Sequence, residues 1–145
     1  MAKTIQSRVI ASHWRNHFIL EKTRLKKHFP FLNCILRCNQ LTCRGSITPS
    51  EGCSTYKIKL VYVRGRTPKV YVLDPLIEPH SKYHMYKDGA LCLFDPRKSP
   101  WSSDMMLQDT IIPWTAEWLV FYELWKNTGE WLGEEAPHED NEPEK

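Results

Sequence analysis

The sequence predicts an α+β domain in which helices pack on an antiparallel sheet. Apolar residues recur every three to four positions near the amino terminus, alternate with polar residues in the middle of the chain, and return to helical spacing later. A chain of 145 residues can bury an ordinary core within one domain. We therefore expect the order helix, a meander of about three strands, an irregular segment and a second helix.

The first predicted helix extends from near Thr4 or Ser7 to Phe29. Its apolar residues form one stripe on a helix, and they are Ile10, Trp14, Phe18, Leu25 and Phe29. Pro30 ends the helix because the residue before a proline is displaced from helical backbone angles. Most basic side chains fall off the stripe and should form an exposed basic face; they are Arg15, Lys22, Arg24, Lys26 and Lys27.

Residues 56–62 alternate as expected for a strand with one buried face. Lys57 and Lys59 separate the apolar positions and should face water. A turn at 64–68 leads to a second strand at 70–73, and two strands joined in this way form an antiparallel hairpin or part of a meander. Residues 31–55 give a weaker pattern, which we interpret as one strand and its flanks.

The five cysteines predict free thiols. Their number is odd and the chain begins without an apolar secretion signal, so we expect a cytoplasmic protein in a reducing compartment. Cys34, Cys38, Cys43 and Cys53 are close in sequence, but they form no Cys-x-x-Cys pair and have no neighbouring histidine pair. We therefore expect no metal site and no cofactor. No apolar run approaches the roughly 20 residues that a membrane span requires.

The formal charge of +3 conceals an asymmetry between the two halves of the chain. Residues 1–70 hold 14 lysines and arginines against 2 acidic residues, whereas residues 71–145 hold 6 against 15. A basic half indicates an acidic partner, nucleic acid or merely a solvated helix face. Nucleic-acid binding is disfavoured because the basic residues alternate with core positions and are not interleaved with exposed aromatic residues.

The second predicted helix begins near Thr110 or Ile112 and ends at Gly129. Its aromatic residues recur at intervals of three and four, and they are Trp114, Trp118, Phe121 and Trp125. The residues that follow from 134 onwards are acidic and have little to bury. We therefore predict a folded domain over residues 1–133 and a disordered acidic tail over residues 134–145.

Residues 80–101 contain the strongest candidate for a chemical site. Cys92 lies just after a Lys87-Asp88-Gly89 turn, and His84 lies eight residues before it. Thioester exchange requires an accessible thiolate and a donor that stabilises the tetrahedral oxyanion, but no strong base beside the sulfur. Cys92 and His84 could supply these two groups. On spacing alone, Cys92 could equally be a core thiol.

A series of motifs follows the order seen in a known family. The segment Asp88-Gly89-Ala90-Leu91-Cys92-Leu93, the tryptophan nine residues later and the aromatic helix resemble the catalytic core of ubiquitin-conjugating enzymes, over about residues 1–133. The bacterial branch found in short type II CBASS anti-phage operons is more similar. The motifs that carry this likeness are His84-x-Tyr86-x-Asp88-Gly89-x-Leu91-Cys92-Leu93, Pro113-Trp114, Trp118-Leu119, Glu123-x-Trp125 and Thr128-Gly129-x-Trp131-x-Gly133.

The resemblance implies a ubiquitin-conjugating-like fold and a transferase in which Cys92 forms a thioester with the carboxyl end of a partner protein. The implied partner is a cGAS-like nucleotidyltransferase with a free C-terminal tail, and a separate activating enzyme is one way of loading Cys92. Lys82-Tyr83-His84 stands where eukaryotic members carry His-Pro-Asn, so His84 occupies the oxyanion position. Its imidazole could donate a hydrogen bond or accept a proton, or His84 could be a loop residue that only orders the backbone. Three tryptophans should pack around this segment without acting as catalysts: Trp101, Trp114 and Trp118.

Other functions compete with this interpretation. A non-catalytic protein-binding module on the same fold would use Cys92 structurally, although a cysteine at the nucleophile position argues against it. A papain-like enzyme fits poorly because His138, the only histidine after Cys92, lies in the predicted tail. For the transferase, we expect the partner's tail to lie beside Cys92 near the turn at 87–89, and the basic face of the first helix to attract an acidic partner.

Overall fold

The computed structural model describes residues 5–80 and 84–133. Within these ranges two helices flank four strands, which confirms the α+β class. The elements are α1 (Ile5–His28), β1 (Asn33–Arg37), β2 (Gln40–Ile47), β3 (Tyr56–Val63), β4 (Lys69–Asp74) and α2 (Ile111–Thr128). Thr4, Lys82, Tyr83 and the predicted tail at 134–145 lie outside the described residues.

The four strands form one antiparallel sheet in the order β1-β2-β3-β4. The prediction of about three strands was one short, because residues 31–55 form a hairpin of two strands. A two-residue loop joins β1 to β2, and Cys38 in that loop has a φ of 52°. Glycine and asparagine usually mark such tight hairpin turns, so the Cys38-Asn39 pair gave only a weak turn signal.

The helices lie close to their predicted positions. In α1, Phe18 and Leu25 are buried as the apolar stripe predicts, but Ile10 is exposed. No residue of the segment 5–13 is buried, so the first turns of α1 extend past the core and Ile10 has little to pack against. In α2, Gly129 adopts a φ of 77° and its N–H donates to the Trp125 carbonyl at 2.7 Å, which ends the helix as predicted.

One charged side chain in α1 is part of the core. Glu21 is buried, and its carboxylate accepts hydrogen bonds from the Leu107 N–H at 2.9 Å and from Arg24 at 3.1 Å. A buried carboxylate needs such partners to offset its desolvation. Glu21 therefore anchors the irregular segment that precedes α2. Within the described ranges, neither helix is long and apolar enough to cross a membrane.

Candidate active site

Residues 84–92 form a compact reversal that is attached to β4. The Gly89 N–H donates to the Tyr86 carbonyl at 3.0 Å, and the Tyr86 N–H donates to the Ala90 carbonyl at 2.9 Å. The φ of Gly89 is 91°, a value that side-chain-bearing residues rarely adopt, so glycine suits this turn. The Leu91 N–H donates to the Val70 carbonyl of β4 at 2.9 Å, which holds the reversal against the sheet.

The Asp88 side chain fixes the same reversal. Its carboxylate accepts hydrogen bonds from the Ala90 N–H at 2.9 Å, Lys69 at 3.0 Å and the Tyr71 hydroxyl at 3.3 Å. Partial burial acts to raise the pKa of Asp88, but these hydrogen bonds and the Lys69 charge outweigh it and the pKa is lowered. Asp88 is therefore a structural carboxylate of the turn.

Cys92 lies at the end of this reversal and lines a cavity of about 560 Å³. Its residue exposure is only 6%, and its N–H donates to the His84 carbonyl at 3.0 Å. The cavity is open to solvent, and it is lined by residues from the segment 93–99 on one side and by α2 with the residues after it on the other. The turn at 87–89, where we expected the partner's tail, is not part of its lining.

The hydroxyl of Tyr86 forms a hydrogen bond with the Cys92 side chain. Burial, the neighbouring Cys92 charge and this hydrogen bond raise the pKa of Tyr86 to about 12. The phenol is therefore protonated at neutral pH and can donate to the sulfur. A donor of this kind favours the thiolate over the thiol. The motif contained Tyr86, but nothing in its spacing indicated that its hydroxyl would meet Cys92.

His84 lines the same cavity as Cys92, so the structure brings the two predicted site residues together. Its φ is 56°, in the left-handed region where histidine is tolerated better than bulkier residues. Its carbonyl accepts hydrogen bonds from the Cys92 N–H and from the Trp118 indole at 2.9 Å. Its ring packs against Trp131, with 4.8 Å between ring centroids. His84 thus connects the Cys92 backbone to α2.

Among the described residues, five aromatic side chains line the cavity. They are Phe94, Trp114, Trp118, Phe121 and Trp131, and the polar lining residues include Asp95, Lys98, Ser99 and Glu117. Trp101 is not part of this lining. It is buried against Tyr62, with 5.3 Å between ring centroids, and its indole donates to Thr110 at 3.2 Å. Of the three tryptophans expected around Cys92, Trp114 and Trp118 therefore line the cavity.

The wall formed by Trp131 depends on two glycines after α2. Gly129 turns the chain back, and Trp131 then packs on Trp118 at 5.5 Å and on Phe121 at 5.8 Å between centroids. A Cβ atom at Gly133 would lie 2.8 Å from the Phe121 ring. Only glycine fits there without displacing the ring. The Gly-x-Trp-x-Gly spacing was the sequence signal for this wall, although its role was not predicted.

The other four cysteines lie on β1, β2 or adjacent turns, and none lines the cavity. Cys34 and Cys43 are directly opposite each other in β1 and β2. In the described ranges 5–80 and 84–133, no group of three or more histidine, cysteine, aspartate or glutamate side chains is placed to hold a metal ion. Cys92 is the one cysteine among the described residues that line the cavity, and His84 is the one histidine.

Comparison with known proteins identifies the family to which the chain belongs. No curated protein matches the chain. The family described as "Type II CBASS E2 protein" matches residues 21–139, a range that contains the sheet, the 84–92 reversal and α2. This match confirms the resemblance drawn from the motifs around Cys92. The chain belongs to the family of type II CBASS E2 proteins.

Proposed function

We propose that the chain is a ubiquitin-conjugating-like transferase in which Cys92 carries an acyl thioester. The family membership supports a conjugating fold and activity of this type. The observation that carries the proposal is the position of Cys92, at the wall of a cavity and hydrogen-bonded to a protonated phenol. A thiol in this setting has room for an acyl group and a donor that favours its thiolate.

The transfer begins with a carboxyl end that has already been activated, as a thioester or an acyl adenylate on a separate activating enzyme. The Cys92 sulfur attacks the carbonyl carbon and forms a C–S bond, while the bond to the leaving group breaks. The leaving thiolate or AMP keeps the electron pair of that bond, and the proton of the Cys92 thiol passes to solvent or to a neighbouring base. The product is a thioester on Cys92.

Tyr86 and His84 have different roles in this transfer. Tyr86 stabilises the attacking thiolate through its hydroxyl. His84, which lines the same cavity, donates a hydrogen bond to the developing oxyanion or accepts a proton from the attacking group. The hydrogen bonds at its carbonyl from the Cys92 N–H and the Trp118 indole support a fixed position for the residue. Preorganisation of this kind lowers the cost of reaching the transition state.

The acyl group belongs to the C-terminal tail of a cGAS-like nucleotidyltransferase. The cavity combines aromatic walls with polar groups that can bond to a peptide backbone, so we place the extended tail there and not at the turn 87–89. The body of the partner docks on the basic face of α1. Four basic side chains of this face are exposed and can attract an acidic protein. They are Arg15, Lys22, Lys26 and Lys27.

A binding module is the second candidate function. The low exposure of Cys92, 6%, and the aromatic walls of the cavity would also suit a domain that holds a peptide without reacting with it. In that case Cys92 would be one part of the cavity wall. Binding and covalent capture must therefore be measured separately.

The test uses the purified chain, a full-length cGAS-like nucleotidyltransferase and an activating enzyme, with products separated under non-reducing conditions. We expect an adduct that disappears on treatment with a thiol. Cys92→Ala should abolish it, whereas the control Cys53→Ala should retain it because Cys53 does not line the cavity. Deleting the last residues of the partner should abolish the adduct and preserve docking. An adduct with the truncated partner would contradict the carboxyl-end mechanism, and tight tail binding without any adduct would favour the binding module.

A further inference from the structure

Cys34 and Cys43 form a second site of thiol chemistry, separate from Cys92. The two residues are directly opposite each other on the antiparallel strands β1 and β2. Opposite residues in such a pair have Cα atoms about 4.5 to 5.5 Å apart, and a disulfide accommodates about 4.4 to 6.8 Å. The two sulfurs can therefore bond without a change in the strand register.

The two thiols are already in contact and differ in character. The Cys34 and Cys43 side chains are hydrogen-bonded to each other. Chiefly this hydrogen bond, with help from the Lys22 charge, lowers the pKa of Cys34 despite its partial burial. The same hydrogen bond, together with burial, raises the pKa of Cys43. Cys34 is thus the thiol that ionises first, and Cys43 is a protonated thiol beside it.

The solvent exposure of Cys34 and Cys43 agrees with this difference between the two thiols. Cys34 is half-buried and can be reached from solvent, whereas Cys43 is fully buried, with an exposure of 0%. A reagent such as a small peroxide therefore meets Cys34 first, and Cys43 is in place to react with the product. By contrast, Cys38 and Cys53 have no cysteine opposite them in the sheet register.

We propose that Cys34 and Cys43 are a peroxide-reactive pair that closes to an intramolecular disulfide. In the first step the Cys34 thiolate attacks one oxygen of hydrogen peroxide, the O–O bond breaks, and the products are a sulfenic acid and hydroxide, which takes up a proton to become water. In the second step the Cys43 sulfur attacks the Cys34 sulfur, the S–O bond breaks and a second water leaves. Overall, two thiols are oxidised and one peroxide is reduced to two waters.

This site does not depend on the function proposed for Cys92. Neither Cys34 nor Cys43 lines the cavity, and the two sites stand on different parts of the chain. Cys92 can be removed for the experiment, so that its own reaction with peroxide does not obscure the result. The failure of either proposal would leave the other unaffected.

The experiment uses the full-length Cys92→Ala, Cys38→Asn chain. Trypsin would otherwise release Cys38 and Cys43 in one peptide, 38–44, and asparagine tolerates the positive φ at position 38. The chain is treated with a stoichiometric amount of hydrogen peroxide, alkylated and digested. We expect the intact mass to fall by two hydrogens, and the peptides 28–37 and 38–44 to be linked until dithiothreitol separates them.

The internal control is Cys53, which should still be alkylated when the linked peptide has formed, with a rate of oxidation at least about tenfold lower. Cys34→Ala and Cys43→Ala should each abolish the link, and circular dichroism identifies any variant that fails to fold. Cys34 is the half-buried residue of the pair, so Cys34→Ala is the variant to use if Cys43→Ala does not fold. The proposal is overturned if Cys34 proceeds to sulfinic acid without a link, or if both thiols stay alkylatable while Cys53 is oxidised.

Discussion

Cys92 and Cys43 are both buried, with exposures of 6% and 0%, but their surroundings differ. Cys92 lies beside a cavity of about 560 Å³ and accepts a hydrogen bond from a phenol that is protonated at neutral pH. Cys43 lies inside the core, where burial and the hydrogen bond with Cys34 keep it as a thiol. Burial alone therefore does not distinguish a cysteine that borders a cavity from one that is enclosed by the core. The empty space and the donor beside the sulfur make the difference.

The largest expected effect comes from exchanging the two cysteines for alanine. Cys92→Ala should abolish the thiol-sensitive adduct with little loss of stability, because its side chain already borders a cavity. Cys43→Ala should retain the adduct but lower the free energy of unfolding by about 1 to 2 kcal/mol, since it leaves a void in a closed core. Adduct formation and urea unfolding of both variants measure this contrast. Equal destabilisation by both changes would make Cys92 another core residue.

The next effect concerns His84. His84→Ala should slow transfer about a hundredfold if the imidazole acts on the oxyanion or on a proton. His84→Asn keeps a hydrogen-bond donor and a residue that tolerates the φ of 56°, but it cannot exchange a proton at neutral pH. Single-turnover transfer rates compare the two variants. Recovery of the transfer rate with asparagine would identify an oxyanion donor. Equal loss in both variants would exclude that role and leave a proton carrier or a residue that only orders the loop.

A smaller effect is expected at Tyr86. Tyr86→Phe removes the hydroxyl that bonds to Cys92 and retains the ring, so the Cys92 thiolate loses a donor. A smaller fraction of Cys92 should then be ionised at neutral pH, so its alkylation by iodoacetamide should slow by roughly tenfold or less. The pH dependence of the alkylation rate provides the measurement. Tyr71→Phe is the control, because that hydroxyl bonds to Asp88 and not to Cys92. An unchanged pH profile in Tyr86→Phe would remove Tyr86 from the mechanism.

The smallest effect tests α2, which supports the cavity. The Glu123 carboxylate accepts hydrogen bonds from the Tyr56 hydroxyl at 2.7 Å and the Ser54 N–H at 3.0 Å, and these lower its pKa below the usual 4.5. A pKa that is lower in the folded state stabilises the fold above about pH 4.5, and the contribution is lost as the pH falls through the folded-state value.

Glu123→Gln should therefore reduce stability by about 1 kcal/mol or less at neutral pH. The difference in melting temperature between the unsubstituted chain and Glu123→Gln should shrink as the pH is lowered below about 4.5. Glu117→Gln on the same helix provides a matched control, because the hydrogen bonds from Tyr56 and Ser54 are made to Glu123 and not to Glu117. A difference in Tm that grew on acidification would contradict the assignment.

The regular elements were predictable because each repeats one pattern over many residues. Both helices and the strands β3 and β4 follow from apolar spacing, since burial on one face imposes that spacing. The hairpin of β1 and β2 was missed because its turn, at Cys38, lacks the usual glycine. The hydrogen bond from Tyr86 to Cys92 depends on the shape of an irregular reversal, and local sequence patterns do not encode that shape.

The wall that Trp131 contributes has a consequence for how the protein is made. Ribosomes add residues from the amino terminus, and early parts of a domain can begin to fold while later parts are still unmade. Cys92 therefore emerges well before the tryptophan that covers His84 and completes the cavity wall. During that interval the nascent chain carries its thiol without a finished pocket around it. The cavity wall is therefore complete only after synthesis has passed Gly133, whose lack of a side chain leaves room for the Phe121 and Trp131 rings.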